Sequence, residues 1–134
     1  MTAFALLLQL SSLSQREAAT LLGVSPSSVD KMARGIRSTP PGVLAEMQRL
    51  IDRQWTAAAE ALALIAAGEA DRIEISYPTD DHEAQSLGWP CVGAWRGMAA
   101  RVVAGAPNAS RLDLVPRGST PATAAASDIH DTLP

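Results

Sequence analysis

Hydroxyls and long cations gather over one short run of this chain: Ser25, Ser27, Ser28, Lys31, Arg34 and Arg37. A serine hydroxyl donates or accepts at base edges and phosphate oxygens, and a lysine ammonium reaches guanine O6 and N7. Val29 and Met32 interleave with these residues at the three-residue step of a helix. Burying that pair turns Ser27, Ser28 and Lys31 outward together. Arg34 and Arg37 follow, as phosphate-gripping candidates or as cations answering a helix C-terminus. A merely solvated helix face has the same composition. The frame around the run decides between the two.

Other chemistry finds less support. His82 beside Asp80 and Asp81 has no second set of ligands nearby in sequence and reads as a polar turn, so no metal or other cofactor is expected. Cys91 is the single cysteine and lacks a basic neighbour, which suits packing better than nucleophilic attack. No pairing of titratable groups suggests an enzyme. Trp55, Tyr77, Trp89 and Trp95 dominate an aromatic-poor chain and are expected in the core or at a dimer interface.

The elements that position the hydroxyl and cation run are written in caps and breaks. Thr2 to Leu10 reads as a short helix carrying Phe4, Leu7, Leu8 and Leu10, stopped at Ser11 and Ser12. Ser14 and Glu17 fit a reciprocal capping box that opens a second helix, and Gly23 ends it. Ser25 caps a third helix with Pro26 at its first position, and Gly35 closes that one. Ala19 stands where the two helices would cross closely. From Pro41 to about Ala67 apolar residues recur at three- and four-residue steps, as one long helix or two with a break near Asp52.

Beyond Gly68 the pattern changes. Residues 72–77 and 111–115 alternate as half-buried strands, Asp80 to Leu87 offers a helical turn, and Val92 to Val103 reads as a helix with Trp95 on its inner face. After Thr120 the chain is Ala, Ser, Thr and Pro without periodicity, as in a disordered tail. The expected fold is therefore mostly α: an N-terminal bundle of about five helices, then a small two-stranded α/β unit. The expected units are 1–67 for the reader, 68–116 for dimerisation and 117–134 for the tail.

Charge fits a local binding patch better than a basic body. The 134 residues carry a net charge of −3, yet residues 1–54 hold six bases against four acids, while the remainder holds five against ten. No signal sequence is evident, and no apolar stretch is long enough to span a bilayer, so a cytoplasmic protein without membrane contact is expected.

The run LSQREAATLLGVSPSSVDKMARGIRSTPPGVL resembles the DNA-binding domain of the Cro/repressor (Xre-type) family, with Gln15, Ala19, Gly23, Val24, Val29, Arg34 and Gly35 in the family's pattern. Met32-Ala33 departs from it where a Trp-Glu pair is common, and the third helix is poor in Gln and Arg. The resemblance implies a helix-turn-helix in which Gln15 grips a phosphate and the third helix enters the major groove of double-stranded DNA. The second half, with Tyr77-Pro78, an acidic turn and a helix bearing Trp95, is similar to anti-CRISPR-associated autorepressors. That likeness implies a homodimer repressing its own operon from an inverted-repeat operator, and leaves RNA binding open. An antitoxin, or an interaction module that has lost DNA binding, is the alternative.

Overall fold

In the computed structural model, which describes residues 1–118, the first three helices each begin where a side chain satisfies a free amide. The Thr2 hydroxyl accepts from the Ala5 amide and opens α1 (Ala3–Ser11), which ends with Ser12 in the left-handed region at φ 64°. Both halves of the capping box are made at α2 (Gln15–Leu22): Ser14 Oγ accepts from the Glu17 amide at 3.1 Å and Glu17 Oε1 from the Ser14 amide at 2.9 Å. Ser25 caps α3 (Pro26–Arg34), with Pro26 in its first turn. Pro41 and the apolar periodicity carry α4 (Pro41–Ala67) without interruption, so the alternative of a break near Asp52 is settled in favour of one helix. After it come β1 (Ile73–Tyr77), α5 (Asp81–Ser86), α6 (Val92–Gly105), a 3-10 turn at Ala109–Arg111 and β2 (Leu112–Pro116).

The two strands pair in parallel, with Ile73 opposite Leu112 and Tyr77 opposite Pro116. A parallel pair needs a long crossover. Here α5 and α6 supply it, and the crossover does more than return the chain. Helix α6 lies along α4 and also touches α1, so it completes a bundle of five helices from a point beyond residue 67.

One apolar core results. Phe4, Leu8, Val29, Met32, Met47 and Leu50 from the first half meet Ala84, Trp89, Ala94, Trp95 and Ala99 from the second. The approach of α6 is close enough to need glycine. A Cβ on Gly97 would stand 2.6 Å from the Ser11 carbonyl oxygen, and one on Gly93 would run into the Glu17 carboxylate. The fully buried Gln54 ties three helices there, donating from Nε2 to the Ser11 carbonyl at 2.9 Å and to the Ala94 carbonyl at 3.0 Å. Buried Arg101 donates to the Gly97 and Leu10 carbonyls at 2.8 and 3.1 Å, its charge set against the C-terminal end of α1.

The structure places several residues more closely than the sequence does. Leu10 is an exposed residue at the end of α1 rather than a core one. Trp89 and Trp95 are only 6% and 8% exposed, enclosed by their own chain, and so have little surface left for a partner. Trp55 is 55% exposed and Tyr77 half-buried. Arg117, assigned from sequence to the tail, still belongs to the fold: its amide donates to the Tyr77 carbonyl at 3.1 Å and its side chain lies 3.6 Å from Glu83. Residues 119–134 lie outside the described residues. Among the described residues no helix is long and apolar enough to cross a membrane.

Candidate nucleic-acid interface

The local sequence builds the α2–turn–α3 unit almost unaided. Gly23 takes φ 68°, and the Val24 amide donates to the Ala19 carbonyl at 3.0 Å, which closes α2 and turns the chain. Ser25 Oγ then accepts from the Ser28 amide at 3.1 Å and starts α3. Ala18 and Ala19 on α2 are buried, as are Val29 and Met32 on α3, so small residues on one helix admit larger ones from the other. Thr2 holds the far end by donating its hydroxyl to the Ala33 carbonyl at 2.9 Å.

With Val29 and Met32 inward, α3 turns Ser27 and Lys31 fully outward and leaves Ser28 at the edge. Gln15 is exposed at the first position of α2, and Ser25 is exposed at the turn. Arg34 is exposed but engaged, 3.3 Å from Asp30 one helical turn back. Asp30, which carried no weight in the sequence reading, thus sets the direction of Arg34. Its i, i+4 spacing was the available signal.

Arg37, a phosphate candidate from sequence, lies beside the first turn of α3. Gly35 ends α3 at φ 77°, and the Ile36 and Arg37 amides both return to the Lys31 carbonyl, at 2.9 and 3.2 Å. That reversal sends the Arg37 side chain back along α3, where Nη1 donates to Ser28 Oγ at 2.8 Å. Ser25 Oγ donates to the same oxygen at 3.0 Å. Ser25, Ser28 and Arg37 therefore form one connected group on the first turn of α3. Nothing in residue spacing alone shows a contact that spans nine positions through a turn.

Behind this face, Glu17 joins the reader to the second half. Its Oε2 accepts from the Gly93 amide at 2.8 Å, at the start of α6. Partial burial works to raise the Glu17 carboxyl, but the amides of Ser14 and Gly93 and the Cys91 thiol outweigh it and hold the group below its ordinary value. The same neighbourhood acts oppositely on Cys91. Burial first, and then the Glu17 charge, push that thiol up to about 11, so it stays protonated.

A helix-turn-helix family model matches residues 5–56, from α1 into α4. Over these residues, fewer than half of the chain, the protein is similar to helix-turn-helix domains. Such domains occur in DNA-binding transcription regulators, and α3 holds the place of the second helix of the helix-turn-helix unit. Among curated proteins no match to the chain was found.

Proposed function

We propose that this chain is a transcriptional repressor that acts in the cytoplasm as a homodimer on an inverted-repeat operator and represses its own operon. The observation that carries the reading is the face of α3. Ser27 and Lys31 stand outward, with Ser28 at the edge, on a helix whose opposite side is locked into the core by Val29 and Met32. A rigid helix of this kind offers its first turn to base edges while Gln15 and Arg34 meet phosphates. Repression then follows from occupancy, since a bound dimer covers the promoter.

Dimerisation follows from what one small reader lacks. Two linked readers add their contacts across two half-sites. Apolar surface for such a contact remains on this chain at Trp55, Leu64 and Leu114, each about half or more exposed. An anti-CRISPR operon is the setting suggested by the likeness of the second half.

The test is selection of DNA fragments by the purified protein, followed by sedimentation of the complex. The reading predicts a palindromic motif with half-site centres about 10 base pairs or a multiple apart. It also predicts two chains per operator and an affinity that falls steeply with salt. No enriched motif, or one chain on one undivided site, would contradict it.

A further inference from the structure

We propose that Arg37 reads a guanine in each half-site and that Ser28 is its positioning residue. The proposal rests on the DNA-binding reading above and assigns to Arg37 a base rather than a phosphate. An arginine that only grips backbone can swing freely, because any phosphate oxygen will serve. Arg37 is tethered. Its Nη1 donates to Ser28 Oγ at 2.8 Å, and that oxygen also accepts from the Ser25 hydroxyl. The tether lies on the first turn of α3, the part of a recognition helix that goes deepest into the major groove.

One N–H of the guanidinium is used in this way. The remaining donors of the planar fork stay available, and a fork matches guanine O6 and N7 as a pair. A contact at one nitrogen narrows the orientations that the group samples, so less side-chain freedom is lost when the base arrives. Arg34, the other arginine at the end of α3, is diverted toward Asp30 at 3.3 Å. Lys31, exposed on the same helix, contributes a point charge and not a fork. Of the three cations, the one placed outside the helix is thus the one held ready for paired recognition.

The experiment compares the wild-type protein with Arg37→Ala, Arg37→Lys, Ser28→Ala and the Ser28→Ala/Arg37→Ala double variant. Each is measured on the selected operator and on random duplex at several salt concentrations. Folding is checked by circular dichroism. Ser28→Ala leaves the helix cap intact, because the cap uses the Ser25 hydroxyl and the Ser28 backbone amide.

Arg37→Ala should lose about ten- to a hundred-fold on the operator and much less on random DNA, and its preference for guanine should vanish at one position per half-site. Arg37→Lys should not restore that preference. Ser28→Ala should relax the same position without changing the salt slope, and the double variant should match Arg37→Ala alone. Equal losses on both DNAs, with a slope flattened by about one unit, would make Arg37 a phosphate contact and overturn the assignment. Additive losses would remove Ser28 from the role. If the wild-type protein enriches no sequence at all, the DNA-binding reading itself falls and the assignment falls with it.

Discussion

The reader and the β1–α5–α6–β2 half are built by different means. In α2 and α3 the decisive bonds are local: Ser14 with Glu17, Ser25 with Ser28, and Val24 back to Ala19. In the second half they are long-range. Gln54 bonds to Ala94, Arg101 to Leu10, and the Gly93 amide to Glu17. The comparison teaches that the α2–turn–α3 unit is shaped by its own sequence, while α6 is fixed against α4 and α1 by residues distant in the chain.

Gly97 offers the hardest way to break this dependence. A side chain there meets the Ser11 carbonyl, a backbone group that cannot step aside. Gly97→Val should destabilise by about 3 kcal/mol or more. The reader should melt together with the second half in a single transition, as followed by circular dichroism and by fluorescence of the buried Trp95 in a Trp55→Phe/Trp89→Phe background. A reader that stays folded after the tryptophan signal is lost would separate the two regions.

Gln54→Ala comes next. It leaves the Ser11 and Ala94 carbonyls without their donor inside the core and removes packed volume, for a loss of about 2–4 kcal/mol in denaturant unfolding. A loss below about 0.5 kcal/mol would mean that α6 is held chiefly by its apolar contacts.

Ser25→Ala sharpens the other side of the comparison. Loss of this cap should cost about 1 kcal/mol. It should also raise amide exchange at the start of α3 while leaving α6 unchanged. Exchange rising equally in both would show that the cap is not a local device.

These contrasts also explain what the sequence made legible. Caps, stops and the buried pair Val29 and Met32 are short-range rules, so α1 to α3 and the exposed positions Ser27 and Lys31 could be read directly. The docking of α6 could not. Gly93 and Gly97 look like weak points in a helix, and their purpose appears only against Glu17 and Gln54. Trp89 and Trp95 were ambiguous because a core aromatic and an interface aromatic have the same local pattern. The contact of Arg37 with Ser28 was not legible because it depends on a chain reversal after Gly35.

The smallest effect expected concerns Glu17. Its carboxyl is held below its ordinary value, so the stability that it contributes is present above the unfolded value near 4.5 and is lost as pH falls through the folded one. The group is largely exposed to screening, so the effect is modest. Glu17→Gln should flatten the acid limb of the pH–stability curve slightly and change little at neutral pH. An unchanged acid limb would mean that the Gly93 contact has no preference for the charged form.

The central claim is that the face of α3 meets DNA while the second half supports it from behind. The most direct measurement is a titration of isotope-labelled protein with the selected operator, followed by the amide resonances. The account predicts that Gln15, Ser27, Ser28, Lys31 and Arg37 shift most, and that Ile75, Ala94 and Trp95 scarcely move. Shifts centred on β1, β2 or α5, with α3 unperturbed, would contradict it.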